Sequence, residues 1–578
     1  MRTSIAIIGS GPSGIYTLKG LVNSPQPLAI TIFEIEADPG KGTPYHPHVN
    51  DRAMLANIAS YELPPVCETL VHWLHRQSDE QLDYLGLALD RINERAFYPR
   101  VVLGAYFEAQ FQQLIEKGRQ AAHAIAVKPL HRVIDIELRR DDIALSARGS
   151  DGTVKEYAFE HVVMATGHNW PEVTETKPGY FVSPWPAPAL KKVQAGAIGV
   201  LGTSLSAIDA VMTIATAHGA FYLDAGGILQ FEIANGSEAL HFTMMSRKGL
   251  LPEADFYFEY PHLPLQICTV EAVDALCNRG SFKLLDDVFE LFRGELVASD
   301  PDYAASIGLA LLDAETFAPA YFAAREAADN FVWAASNVAE AEQNESKRYT
   351  VPWRYAILRM HEVIARAVPH FHETDLKRFH RTFKTIFVDD YATVPHDSIH
   401  RLLALRRADR ISISALGNDY TIDHDAVARG ARVRHQGRTD DFNTFVVATG
   451  QPSMSVEDLP FPSLVRQGVL QRAATPEDAS LMTDGGGEAI TRTGGIDLDA
   501  WFRPNMLLDL DRNLYCASIA FLLHKLPFVQ GITSAHEIGG IVSASIRTTT
   551  EKRDVSEPDS EAARSEALPA PKWIGSIR

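Results

Sequence analysis

Cysteine is scarce: there are four in 578 residues, at Cys67, Cys268, Cys277 and Cys516. They are too few and too scattered for a disulfide framework or a zinc knuckle, and are expected to be reduced packing thiols. Positive charge is also in deficit. Lys+Arg 54 against Asp+Glu 73 leaves a net charge of −19, the wrong sign for gripping a phosphate backbone, so no nucleic-acid partner is expected. No apolar run approaches the roughly 18–20 residues that a membrane helix needs, so no membrane partner is expected. Residues 4–8 run directly into a glycine motif that the fold requires, which argues against a secretory leader and for a cytoplasmic location. No metal site is expected, because His46 and His48 flank Pro47 without a third ligand at suitable spacing.

What is present has an ordinary globular balance, 46% hydrophobic and 22% charged. The chain is too long for one core, so two or three domains are expected. The first unit reads strand, glycine turn, helix, strand: residues 4–8, then Gly9-Ser-Gly11-Pro12-Ser13-Gly14, a helix over 12–23 and an apolar run from Leu28 to Phe33. In such a turn Gly9 permits the tight bend, Gly11 lets backbone approach a pyrophosphate, and Gly14 allows close helix–strand packing. The helix start, at Pro12 and Ser13, supplies N–H donors and partial positive charge to the phosphates. Glu34 ends the next strand, where a ribose-binding carboxylate belongs.

After a Pro-rich crossing from Lys177 to Pro188 the same unit begins again at Ile198, with Gly202-Thr203-Ser204-Leu-Ser-Ala207 in place of the three glycines. Ser adds little bulk and Ala is an accepted third residue. Downstream, the run Phe242 to Ser246 ends in Arg247 and Lys248, where an enzyme using NADP places cations against the 2′-phosphate; a solvated basic turn is the alternative. A loop around 218–240 must intervene. Two strand endings also repeat, Ala165-Thr166-Gly167 and Ala448-Thr449-Gly450.

With two fingerprints and two Thr-Gly endings, the chain resembles the flavoproteins with two dinucleotide-binding domains, a group that includes disulfide reductases and NADPH-dependent single-chain flavin monooxygenases. The reductase branch uses a close cysteine pair, which is missing here. A narrower resemblance, to bacterial FAD/NAD(P)-binding proteins related to flavin-dependent N-hydroxylating monooxygenases, rests on Gly42-Thr-Pro-Tyr45, Leu55-Ala-Asn57-Ile-Ala-Ser60, Phe97-Tyr-Pro-Arg100 and Ser246-Arg247-Lys248-Gly249-Leu-Leu-Pro252. The stretch Phe387 to Pro395 departs from it, lacking a His/Arg-rich character.

The resemblance implies an α/β fold: a discontinuous FAD domain (1–180 and 435–548) and an NADPH domain (190–434) carrying a mostly helical insertion at about 270–410; residues 549–578, polar, charged and Pro-containing, read as a flexible tail. It implies FAD and NADPH as cofactors. The chemistry implied is oxygenation of a small nucleophilic substrate by O₂ through a C4a-hydroperoxyflavin, with an amine or amino acid as the leading class. Hydroxylation of a heteroaromatic such as urate, electron-transfer reduction, and redox sensing without turnover are the alternatives. Asn57, Thr166, Gly167, Thr449 and Gly450 are then cofactor contacts, and Gly531 and Thr533 open a last helix aimed at the flavin or merely capped at the surface. Arg100 reaches flavin phosphate or pairs at the surface. Arg354 offers a bidentate fork for a substrate carboxylate, or lies on a solvated helix face. No catalytic acid or base stands out.

Overall fold

The computed structural model describes residues 2–168, 173–450, 453–474, 492–506, 513–524, 526–529 and 531–555. Its first sheet has five parallel strands in the order Leu514–Cys516, His161–Met164, Ser4–Ile8, Ala29–Phe33, Ala124–Lys128. Ile5, Ala6 and Ile7 are fully buried, as expected of a parallel strand covered on both faces, which reads as a continuous apolar run. The helix Pro12–Val22 follows the glycine turn with proline in its first turn, where the missing N–H is not needed. An antiparallel meander, Arg132–Leu138, Ile143–Arg148 and Val154–Phe159, is inserted before the fourth strand in sequence.

The second sheet runs Ile411–Ala415, His241–Ser246, Ala197–Leu201, Thr444–Val447, Tyr180–Phe181, Glu175–Lys177. Its first five members are parallel and the last is antiparallel. This is the expected α/β class with a repeated parallel unit, but the sheets divide the chain differently from the sequence boundaries. Glu175–Lys177, Tyr180 and Thr444–Val447 fall within the ranges expected for the FAD domain, yet all pair in the second sheet. Chain crossings are edge-to-edge hydrogen bonds between distant segments, and composition carries no trace of them. The loop expected around 218–240 is an antiparallel hairpin, Gly219–Leu223 with Leu229–Ile233.

Between the second sheet's members His241–Ser246 and Ile411–Ala415 lies the helical insertion, with its own aromatic core of Phe289, Phe292, Phe317, Phe379, Phe383 and Phe387. The last helix, Gly531–Val555, runs on into the range expected as tail, so residues 549–555 are helical; 556–578 lie outside the described residues. That helix is no solvated surface element. It buries Ile532, Ala535, Ile538, Val542 and Ile546 and crosses the first helix at glycines: a Cβ on Gly539 would lie 2.6 Å from the Thr17 nitrogen, and one on Gly20 would strike the Ser543 side chain. His536 stacks on Tyr16 at 4.9 Å. Among the described residues no helix is long and apolar enough to cross a membrane.

Candidate functional site

Each parallel sheet presents one glycine turn at the end of its central strand. Gly9 has φ +104°, and a Cβ there would sit 2.4 Å from the Ala165 carbonyl oxygen; a Cβ on Gly14 would sit 2.1 Å from the Gly9 oxygen. Gly202 repeats this geometry with φ +132° and a Cβ position 2.4 Å from the Ala448 oxygen. The two Ala-Thr-Gly endings are therefore the walls against which the two turns close. At the third position Ala207 replaces glycine and its methyl packs 3.3 Å from the Gly202 Cβ position. Ser204 is the extended residue before the second helix, Leu205–His218, so that helix also opens toward its turn.

In the first turn Glu34 is buried and accepts from the Ser10 backbone N–H at 2.9 Å, the Ser10 hydroxyl at 2.5 Å and the Glu36 N–H at 3.0 Å. Its carboxylate is thus oriented beside the turn. Thr166 is fixed by Ser518: its N–H donates to Ser518 Oγ at 3.0 Å, and the two hydroxyls lie 2.9 Å apart. Gly167, Gly450 and Gly531 have left-handed φ of +69°, +92° and +76°, with open space where a Cβ would stand. Asn57 is exposed in the segment that pairs with residues 98–100 through Ala56 N–H to Tyr98 O, 2.8 Å, and Arg100 N–H to Met54 O, 3.0 Å. Thr533 lies in the first turn of the last helix, half-buried.

In the second turn Thr203 Oγ1 donates to Ser246 Oγ at 3.2 Å, and Ser246 Oγ accepts from Gly249 N–H at 3.0 Å. One hydroxyl ties the glycine turn to the basic turn. The two cations then part company. Lys248 pairs with Glu326 of the insertion at 2.7 Å and lies 3.8 Å from the centre of the Phe322 ring. Arg247 is exposed and its guanidinium has no partner among the described residues.

Two arginines are engaged by acids that sequence spacing did not offer. Arg100 is not a surface pair: its guanidinium bonds Asp209 on the second unit's first helix at 2.7 Å and lies over Trp185. Burial pushes the Asp209 carboxyl up to about 6, and the Arg100 charge works against that rise. Arg354 is not on a solvated face. It is buried and paired with Glu253, above the rings of Phe256 and Trp353, so its fork is already committed within the protein. Sequence reading missed the partners. Glu253 also pairs with Arg325 at 3.2 Å and accepts from Trp333 Nε1 at 2.8 Å; Asp389 accepts from Arg325 and from the Tyr321 hydroxyl at 3.0 Å. Asp390 beside it is buried with Oδ2 unpartnered, and burial, with Asp389 and Glu253 adding to it against Arg354, pushes its carboxyl far up. The stretch that departed from the family pattern supplies these two acids.

The third ligand that spacing did not offer comes from the second strand's exit. Glu36, His46 and His48 place one ligand atom each within 4.8 Å of one another, with His48 Nε2 3.4 Å from Glu36 Oε1. Burial, aided by His48 and Lys41, brings His46 down to about 4, so its imidazole is neutral and able to donate a lone pair to a cation. The expectation that no such group exists is corrected.

Two glycine turns on two parallel sheets, each closed by an Ala-Thr-Gly wall, define a protein of paired dinucleotide-binding domains. Residues 6–169 match the FAD-NAD(P)-binding family, and residues 269–391 match the YdhS-like middle domain. A relative in Escherichia coli strain K12, the uncharacterized protein YdhS, is 39% identical over 542 residues, spanning 94% of this chain and 97% of the relative. The chain belongs to the YdhS family. Solved structures with a similar chain path include the ornithine hydroxylase PvdA from Pseudomonas aeruginosa, 12% identical over 95% of this chain and 100% of that one, TM-score 0.48. The Kutzneria sp. 744 ornithine N-hydroxylase KtzI is 13% identical over 95% and 100%, TM-score 0.47.

Proposed function

We propose that the chain is a FAD-dependent, NADPH-consuming monooxygenase that oxygenates a small nucleophilic substrate, an amine or amino acid being the class favoured by the sequence resemblance. The observation that carries this reading is the paired turn geometry, with Gly9 against Ala165 for FAD and Gly202 against Ala448 for the nicotinamide nucleotide. The residues fit the cofactors: a glycine with no room for a Cβ opens each turn, an oriented carboxylate at Glu34 suits a ribose, and the Arg247 guanidinium, without a partner among the described residues, suits a 2′-phosphate. All four cysteines are free and none forms a pair, which disfavours dithiol chemistry. Bound FAD would supply the redox and oxygen chemistry. The chain's own work is to bind the two nucleotides, orient them and keep water from the reacting centre.

The test is oxygen-isotope incorporation from labelled dioxygen into a panel of amines, amino acids and purines, with NADPH consumption followed alongside. NADPH use matched to labelled product supports the reading. NADPH use that ends only in hydrogen peroxide or reduced quinone, with no labelled product from any compound, overturns it.

The assignment of Arg247 has its own test. Removing a charge-assisted contact of about 1.5–3 kcal/mol is expected to cut the preference for NADPH over NADH by about 10–100-fold in Arg247→Ala. The same change at Lys248, whose ammonium is engaged by Glu326, is expected to shift it by no more than about threefold, the scale of a surface pair. Steady-state kcat/KM with both nucleotides measures each effect.

A further inference from the structure

A cleft of about 590 Å³ opens where the two dinucleotide units and the insertion meet. Leu55, Tyr61, Arg95 and Tyr98 line it from the first unit, next to the segment carrying Asn57; Asp255 lines it from the second and Arg401 from the insertion. Asp255 is rigidly held. Its N–H donates to Val394 O at 2.8 Å, its carbonyl accepts from His396 Nε2 at 2.7 Å, and its carboxylate accepts from the Thr393 hydroxyl at 3.2 Å. The strand-like bridge between Ala254 and Val394 fixes the same stretch. Opposite, Arg95 lies 4.2 Å from the Tyr257 ring centre and 5.0 Å from that of Tyr61, and donates to the Phe258 carbonyl at 3.0 Å.

We propose that this cleft receives the substrate and that the Asp255 carboxylate is the catalytic base that takes a proton from the substrate's ammonium group. The proposal rests on the monooxygenase reading above. An ammonium nitrogen has no lone pair, so it cannot accept oxygen until one N–H bond breaks. The electron pair then stays on nitrogen, the proton goes to Asp255 Oδ, and the protonated acid returns it to water through the mouth of the cleft. No further reactant is consumed in that step.

The surroundings suit the role. Burial first, and the Glu62 charge second, push Asp255 up to about 7, against His396 and the Thr393 hydroxyl, with Glu345 adding to the rise. Glu62 is itself pushed up to about 7 by burial, with the Ala59 N–H and Arg95 acting the other way. A carboxyl near 7 is poised at the operating pH of a general base. A base acts in its deprotonated form, so activity on an ammonium substrate should rise as pH increases through about 7.

The experiment pairs two measurements on the full-length holoprotein. The first is an NMR pH titration of the aspartate carboxyl carbons, with Asp255→Asn used for assignment. The second is the pH profile of kcat/KM for oxygenation of butylamine, benzylamine and the basic amino acids. A carboxyl that titrates near 7, together with about a 10²-fold loss of kcat/KM and of the rising limb in Asp255→Asn, partly restored in Asp255→Glu, supports the proposal. An Asp255 carboxyl that titrates at its ordinary acidic value overturns it, as does an unchanged pH profile in Asp255→Asn. If no amine in the panel is oxygenated, this proposal falls; the monooxygenase reading falls with it only if the purines and other amino acids also give no labelled product. Coupled oxygenation with a wild-type profile in the variant sinks this proposal alone.

Discussion

Gly9→Ala is expected to yield protein that purifies without bound flavin. The new methyl would sit 2.4 Å from the Ala165 oxygen, at a φ of +104° that side chains avoid. Neither neighbour can move freely, since both are backbone at the exits of adjacent paired strands in the first sheet. Overpacking of about 1–3 kcal/mol and backbone strain of about 1–3 kcal/mol act together, so flavin affinity should fall by at least about thirtyfold. The ratio of visible flavin absorbance to protein absorbance after gel filtration measures this. Gly540→Ala is the control. It is a helical glycine with open space at its Cβ position, and the change is expected to stabilise by about 0.5–1 kcal/mol and leave the ratio unaltered. A fully flavinylated Gly9→Ala protein would refute the pyrophosphate assignment of the first turn.

Glu253→Ala carries the second large effect, on stability. Glu253 is 6% exposed and serves two buried arginines at once. Removing it strands Arg354 as an uncompensated cation and leaves Arg325 to Asp389 alone, which costs about 3–5 kcal/mol for a broken buried pair. The insertion should then unfold at lower temperature, and calorimetry should show the loss in the transition to which the insertion contributes. The pH dependence has a definite sign. Burial alone would raise the Glu253 carboxyl, but Arg354 and Arg325 outweigh it and hold the group below its ordinary 4.5. A carboxylate depressed in the fold contributes stability that is present above its unfolded value and lost as pH falls through the folded one. The gap in Tm between wild type and Glu253→Gln should therefore narrow below about pH 4.5. A gap that is constant through the acid range would mean that Glu253 is not ionised in the folded protein.

The dinucleotide turns were legible because each is a local device. Gly9 to Gly14 and Gly202 to Ala207 impose their geometry within six residues, and the apolar strand and helix around each are read by their periods. The Ala-Thr-Gly endings were legible as a repeat, although that they form the walls closing each turn emerged only when the parallel strands were paired. What stayed hidden depends on contacts across the chain. Nothing near Arg100 announces Asp209, more than a hundred residues on, and the fork of Arg354 looked available because Glu253 lies about a hundred residues before it. Glu36 joins His46 and His48 through the path of the loop that follows the second strand, which spacing rules cannot anticipate. The same holds for Asp255, an unremarkable acid in sequence that backbone pairing with Val394 sets into a cleft.

The closure of the first sheet by the end of the chain bears on how the protein is made. Leu514–Cys516 completes that sheet beside His161–Met164, and the last helix seats its Gly539 against the backbone of the first helix. On the ribosome the N-terminal half emerges with an open strand edge and an uncovered helix face, and it waits for more than three hundred residues before either is filled. The second unit and the insertion, which have their own apolar centres, are synthesised during that wait. Folding of the nucleotide turn at Gly9 is thereby coupled to completion of synthesis, and a chain released before residue 514 lacks the strand and helix that close its first domain.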